Sequence, residues 1–409
     1  MPRTLTRRVS LPLYVTRFTC IGAACEDTCC GGWTVEVDKA TFQAYRKVTT
    51  GPLAEGFRRH LQLAKGLKKA DHSWGRFEQD VDAGTCKFLD EGMCSIQNHM
   101  GEDALCDTCY GYPRSTLEMG GEFIQSLTLS CPEAARLALL AEDAFELVEA
   151  DIQTRNACIA SASSYQGLSY QHMGDVRFFS FGILRTKQLA IWQRLAVLGL
   201  FCDSLTRLLG AGEGAQTGAL VRQFEGVIER GKVIEALEPM TANYASQACL
   251  FAPMVRMGSR QSRSERQNSI QRAIGTGLGF DLQTWDVDEQ TLISCYARGL
   301  DRLKEVLADI PHFFEHYLIN DLVRDPFPFS SNTPMEDYLQ LVSRYGIVRV
   351  MLAGRCAGDE NAKVNDLVET IQFFSRRFQH DPQFAAQVYA SLQSLGAASI
   401  DKLYGFLRN

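Results

Sequence analysis

The sequence predicts a mainly α protein in which an irregular, cysteine-rich N-terminal metal-binding domain (residues 1–133) packs on a larger helical domain (residues 134–409). Three observations predict it. Nine of the fourteen cysteines fall in the first 131 residues. That stretch is rich in glycine and lacks long periodic runs, whereas apolar residues beyond it recur at helical spacing. The change comes at Cys131-Pro132-Glu133, where proline suits a first helical position and glutamate the first turn.

The helical expectations follow in chain order. Leu137, Leu140, Ala144 and Leu147 are spaced +3, +4 and +3 and predict a helix over 134–150. Residues 179–209 read as one long apolar helical stretch or two helices, and 220–237 and 289–307 as further helices. Thr333, Pro334 and Glu336 form a capping box that opens a helix to about 352, with Leu341, Tyr345, Val348 and Leu352 on its apolar face. Leu367, Ile371, Phe374 and Phe378 repeat that spacing, and Asp381 with Pro382 starts a last helical pair. No alternation of β-branched residues stands out in this half. Residues 256–272 interrupt the helices with Arg256, Arg260, Arg263, Arg266 and Arg272 against Glu265 alone. They read as a solvated loop, or as a lid or docking strip for an acidic partner.

A chain of 409 residues with 45% hydrophobic and 22% charged residues is long enough for two or three globular domains. Its net charge of −6 argues against general nucleic-acid binding, so no nucleic-acid partner is expected. The N-terminus carries Arg3, Arg7, Arg8 and Arg17 without an apolar core and does not read as a secretory signal. No stretch of about 18 apolar residues predicts a transmembrane segment. The expected compartment is the reducing cytoplasm, where disulfides rarely persist.

Cysteines in such a compartment need another reason, and their spacing supplies one. The pattern is Cys20-x4-Cys25-x3-Cys29-Cys30-Gly31-Gly32-Trp33, then Cys86-x7-Cys94, Cys106-x2-Cys109 and Cys131-Pro132. Closely spaced thiolates reach one ion while the glycines permit tight turns. Cysteine sulfur is a soft ligand suited to zinc or to an iron–sulfur cluster. Four ligands satisfy either centre, so nine cysteines exceed one site and two centres remain open. One set consistent with the spacing takes Cys25, Cys29 or Cys30 with Cys86, Cys94 and Cys106 or Cys109. Disulfides are disfavoured by the adjacent Cys29 and Cys30. The five scattered cysteines, Cys158, Cys202, Cys249, Cys295 and Cys356, read as small buried hydrophobes.

The motif Cys25-x3-Cys29-Cys30-Gly-Gly-Trp, Cys86-Lys-Phe-Leu with Gly92-Met-Cys94, and Cys106-x2-Cys109 with Tyr112-Pro113-Arg114 resemble the broad family of zinc- or iron-chelating cysteine-cluster proteins. The whole chain is similar, more narrowly, to the bacterial flagellin lysine-N-methylases. The likeness extends to Pro12-Leu13-Tyr14-Val15, to Ser130-Cys131-Pro132-Glu133, and to His316-Tyr317-Leu318-Ile319-Asn320 with Phe327-Pro328-Phe329. This resemblance implies an S-adenosylmethionine-dependent enzyme with a [4Fe–4S] cluster (zinc being the alternative) that methylates lysines of flagellin. A non-enzymatic zinc- or iron-binding scaffold is the rival expectation.

Methyl transfer to lysine requires the neutral amine, and free lysine has a pKa near 10.4. The sequence does not single out a proton acceptor among Tyr110, Tyr112, Glu118, Glu122 and Asp321. The glycine run Gly275-Thr-Gly277-Leu-Gly279 lacks the strand and βαβ context of a dinucleotide turn and reads as a simple turn. The CxxxCxxC signature of radical enzymes fails because Gly32 stands where its third cysteine would be. His312 and His316 share one helical face, a weak metal spacing that reads better as packing. Arg114 reads as a surface ion pair, or as a partner of an anionic cluster or a cofactor carboxylate.

Overall fold

Helix 334–358 organises the packing. It starts as its sequence predicts: Thr333 Oγ1 accepts from the Glu336 N–H at 3.1 Å, and Pro334 opens the first turn. The reciprocal bond of the capping box goes one residue further back, from Asn332 N–H to Glu336 at 3.1 Å. In this computed structural model, which describes residues 4–64, 70–257, 262, 264–379, 381–394, 396 and 406–408, the helix runs to Gly358 and is buried on nearly every face. Helices Ile191–Gly210, Tyr244–Met257, Glu265–Gly277, Glu289–Val306 and Val364–Phe374 pack around it. Two backbones come unusually close. A Cβ on Gly277 would lie 1.8 Å from Gly354 O, and one on Gly299 would lie 2.1 Å from Ala353 O. The glycine run is therefore the end of a helix pressed onto the central one. The buried pair Arg194–Glu315, at 2.6 Å, ties helix Ile191–Gly210 to Phe313–Arg324.

The chain is mainly helical, as predicted, but its N-terminal third is less irregular than expected. A five-stranded sheet runs in the order Ile159–Ser161, Arg114–Met119, Glu122–Leu127, Leu5–Pro12, Leu147–Thr154. The hairpin Arg114–Met119/Glu122–Leu127 turns at Gly120 and Gly121, both at positive φ (+62° and +90°), as a two-residue type I′ turn demands. Leu5–Pro12 pairs antiparallel with Leu147–Thr154 over its full length, Leu5 opposite Thr154 and Pro12 opposite Leu147. Two of these strands lie beyond residue 133. The helix expected over 134–150 accordingly stops at Leu140, and Leu147 begins a strand. The strand partner, far off in sequence with Arg8 opposite Asp151 and Ser10 opposite Glu149, outweighs the local helical spacing.

Sheet and helices meet at Tyr14. Its hydroxyl accepts from Leu127 N–H at 2.8 Å and donates to Asn320 Oδ1 at 2.6 Å. Asn320 Nδ2 in turn donates to Leu127 O at 3.2 Å. A second, smaller core gathers Val35, Val37, Phe42, Tyr45, Phe57 and Phe88 around Cys86 and Cys106, with Tyr45 stacked on Phe57 at 4.3 Å.

The remaining helices sharpen the expectations. Residues 179–209 resolve into the end of Tyr170–Leu184 and most of Ile191–Gly210, and 220–237 into Thr217–Glu229 and Lys232–Leu237. The arginine-rich segment is largely helical. Arg256 ends Tyr244–Met257, and Arg266 and Arg272 lie on Glu265–Gly277, while Arg260 and Arg263 fall outside the described residues. Asp381 Oδ1 caps Pro382–Ser394 by accepting from Gln383 N–H at 2.9 Å; only 406–408 of the second expected helix are described. Among the described residues, no helix is long and apolar enough to cross a membrane.

Because Gly354 O belongs to a helix backbone that cannot step aside, Gly277→Ala should cost about 1–3 kcal/mol. The expected readout is a lower denaturant midpoint at unchanged m value.

Candidate functional site

The cysteine loops are drawn together by backbone bonds. Cys86 N–H donates to Cys30 O at 2.6 Å, Gly32 N–H donates to Gly84 O at 3.0 Å, and Gly31 bridges Thr85. Cys94 ends the small hairpin Leu89–Asp90/Met93–Cys94, whose turn residues Glu91 and Gly92 both take positive φ. Cys106 precedes the short helix Asp107–Gly111 that carries Cys109 one turn on.

These loops collect six of the nine predicted thiols: Cys29, Cys30, Cys86, Cys94, Cys106 and Cys109. Cys30 lies close enough to Cys29 and Cys94 for its one thiol proton to serve either. That proximity is the main influence holding Cys29 down to about 7 and Cys94 to about 6, while the Cys30 proton is itself held far more tightly. Cys109 is likewise raised by its bond with Cys106 and by burial. Burial pushes Cys86 up to about 11, with Cys94, Cys106 and Cys29 adding like charge. Cys20, Cys25 and Cys131 form a neighbouring trio: burial raises Cys131 to about 11, reinforced by Cys25 and Cys20.

All fourteen cysteines are free. Among the described residues, no three His, Cys, Asp or Glu side chains already surround a metal-sized point. Binding of a metal would displace the thiol protons. The donor set fits a soft-metal centre in its chemistry. Cys158, expected to be a mere buried hydrophobe, sits against this group, with its Sγ 3.4 Å from Asp107 O and Cys106 near enough to raise it.

The helical half holds the first cysteine loop from one residue. Arg376, in the π-helical turn Ser375–Gln379, donates to the carbonyls of Asp27 (3.1 Å), Thr28 (2.8 Å) and Gly31 (2.7 Å). Its charge also helps hold the Cys29 thiol down. The buried Asp27 carboxylate accepts from Gln372 at 2.8 Å and faces Arg376 at 3.4 Å and Arg266 at 3.5 Å. The arginine-rich segment, expected to be a solvated loop or else a docking strip, thus contributes Arg266 to an internal contact.

Beside this loop opens a cleft of about 1500 Å³. Its lining includes Cys29 and Trp33, Tyr112 to Ser115, Ala157 to Ala160, and Arg324, Asp325 and Arg377 from the helical half. Cys29 is the one member of the six-thiol group on this lining.

Of the proton acceptors considered, Tyr112 alone lines the cleft, its hydroxyl 3.2 Å from Ser130 Oγ and its ionisation opposed by burial. Tyr110 bonds Gln153 O, Glu118 receives the Gly121 N–H in the hairpin turn, and Glu122 is exposed beside that turn. Asp321 is locked by Arg344 at 2.6 Å and Gln379 at 2.6 Å. Arg114 pairs with Glu102 at 3.0 Å while also lining the cleft. His312 and His316 pack, as expected: their rings face Leu140 O and Ala138 O at the end of helix Pro132–Leu140.

Sequence reasoning missed Asp27, Arg324, Asp325, Gln372 and Arg376. A signal for Arg376 was present in Phe373-Phe374-Ser375-Arg376-Arg377-Phe378, two cations set inside an apolar run.

Comparison with known proteins adds an independent finding. Residues 177–406 match the description of the FliB lysine N-methylase C-terminal domain. A protein named lysine-N-methylase from Salmonella typhimurium is 37% identical over 406 residues, covering 95% of this chain and 96% of the relative. Its counterpart from Salmonella choleraesuis is 36% identical over 403 residues, 95% of this chain and 96% of the relative. A flagellar biosynthetic protein FliU from Salmonella muenchen is 34% identical over 152 residues, 37% of this chain and 88% of the relative. No solved structure matches.

Arg376→Gln should loosen the loop at a cost of about 1.5–3 kcal/mol, typical of one charged hydrogen bond. In metal-free protein it should also move the pH midpoint of Cys29 alkylation above about 7. Peptide mapping of alkylated protein reads both the site and the midpoint.

Burial, with His312 nearby, lowers His316 from 6.5 to about 4. The unfolded chain therefore binds that proton near 6.5 and the folded chain only near 4, so acidification through this window favours unfolding. At roughly 1.4 kcal/mol per pKa unit, the loss should be on the order of 3 kcal/mol and complete below the lower value. His316→Gln should flatten that part of the stability–pH curve, measured as denaturant midpoint.

Proposed function

The chain belongs to the FliB lysine N-methylase family, and on that premise we propose that it methylates lysine side chains of flagellin from S-adenosylmethionine in the cytoplasm, with a thiolate-held [4Fe–4S] centre beside the cleft. The observation that carries the reading is the position of Cys29, close to the other thiols of the group and at the same time on the cleft lining. Cys29, Cys30 and Cys94 would hold the centre, completed from Cys86, Cys106 and Cys109.

When bound, S-adenosylmethionine supplies a sulfonium methyl group; its transfer to the lysine Nζ leaves S-adenosylhomocysteine and a proton. The rest falls to the chain. A cleft of about 1500 Å³ exceeds the roughly 300–1,000 Å³ of a usual ligand site and leaves room for a cofactor and an entering side chain together. Arg376 is a positioning residue: through three carbonyls it fixes the loop that carries Cys29 and Cys30. Closing this cleft around the two partners replaces a bimolecular encounter by an aligned pair.

The test is an anaerobic assay with purified protein, flagellin and methyl-labelled cofactor. Label on flagellin lysines is the expected result, and none from protein with an intact cluster ends the reading. The anaerobic preparation should be brown and yield iron and acid-labile sulfide. A colourless one with stoichiometric zinc would instead support the scaffold. Cys29→Ser and Cys94→Ser should each lose most of the bound iron and at least about tenfold in methyl transfer, whereas Cys202→Ser, buried far along the chain in helix Ile191–Gly210, should keep both.

A further inference from the structure

Strand Ile159–Ser161 is the outermost of the five-stranded sheet and also part of the cleft wall. Its inner side pairs in parallel with Arg114–Met119, Ile159 opposite Thr116 and Ser161 opposite Glu118. Ala162 N–H, just past it, donates to Glu118 O at 2.8 Å. Alternation along a strand then turns the N–H and C=O groups of Ala160 and Ala162 inward and those of Ile159 and Ser161 outward. Ala160 and Ser161 are exposed, and among the described residues no backbone partner meets the outward groups.

The opposite edge of the sheet is different. Leu147–Thr154 carries Glu149 and Asp151, both engaged by Arg8. Charge on an edge strand deters pairing with another chain. The edge at the cleft has no such guard: Ile-Ala-Ser is followed by Ala162, Ser163 and Ser164, all small and uncharged. On the same cleft lining, Trp33 is 39% exposed yet held in place by its Nε1 bond to Cys29 O at 2.8 Å. The exposed Glu36 on that lining offers a carboxylate to an approaching ammonium, whereas Asp107 is already paired with Arg155 at 3.0 Å.

We propose that the lysine-bearing segment of the protein substrate binds as an added strand on the free edge of Ile159–Ser161, directing its lysine into the cleft past Trp33. The proposal rests on the reading of this chain as a methylase of protein lysines. Backbone pairing supplies affinity with little demand on sequence, and alternate side chains turn toward and away from the cleft. It therefore accounts for how one site would accept several lysines in different local sequences, provided each can become extended.

The experiment uses the full chain purified without oxygen and short fluorescent flagellin peptides centred on lysine. Binding is read by anisotropy, separately from methyl transfer. Backbone N-methylation is walked along the peptide one residue at a time. Weakened binding at every second position, with the positions between tolerated, is expected; equal tolerance at all positions, or no binding by the unmodified peptides, overturns the proposal. Ser161→Pro removes one outward N–H while sparing the inner ladder, a placement proline accepts on an edge strand. It should weaken binding about three- to tenfold, the loss of one hydrogen bond, and unchanged affinity in the folded variant overturns the proposal. Should the variant not fold, the peptide series on the native chain decides alone. Binding with the alternating pattern but no methyl transfer would sink the methylase reading and leave the docking mode standing. Methyl transfer with no alternation would do the reverse.

Discussion

Everything at the site depends on how a short loop with few backbone bonds of its own, residues 25–32, is held against the helical half. Arg376 spans three carbonyls of that loop, and Asp27 returns the contact from the loop side. Both groups are largely buried, so losing Arg376 costs about 1.5–3 kcal/mol, more than the fraction contributed by an exposed pair, while Gln372 and Arg266 still engage Asp27. The many surface pairs, such as Arg58–Glu55, contribute little by comparison. The geometry of the thiols is thus set as much from the C-terminal helices as from the cysteine loops themselves.

The same division explains the two cores. The aromatic cluster around Tyr45, Phe57 and Phe88 packs with Cys86 and Cys106, while the large core around Pro334–Gly358 holds the segment that carries Gln372 and Arg376. The cleft lies where they meet, with Tyr112 and the hairpin of Arg114–Met119 and Glu122–Leu127 between them. Family membership and geometry therefore support each other from different directions. The family match rests on residues 177–406 and on identity along the whole chain, the geometry on loops that precede residue 131.

Much of the helical half was legible because its signals are local. Thr333, Asp381 and the +3/+4 spacing from Leu341 to Leu352 act within one or two turns, and the structure uses them. The sheet was not legible, because its strongest pairing joins Leu5–Pro12 to residues that by themselves show helical spacing. The Gly120-Gly121 turn between two short strands was a usable hairpin signal that went unread. The cysteines were visible as donors, yet spacing could not divide them. Only the backbone bonds linking Cys30 with Cys86 separate the group of six from Cys20, Cys25 and Cys131, and only folding reveals Cys158 beside them.

The contact between Arg376 and Thr28 spans 348 positions of sequence. At roughly 5–20 residues per second, a ribosome needs about 17–70 s to reach the arginine after making the loop. During that interval the nascent thiols stand open to whatever ions and oxidants the surroundings contain. The loop is thus fixed late, following release of the C-terminal helices, and a truncated chain that stops short of them would present its sulfur atoms unguarded.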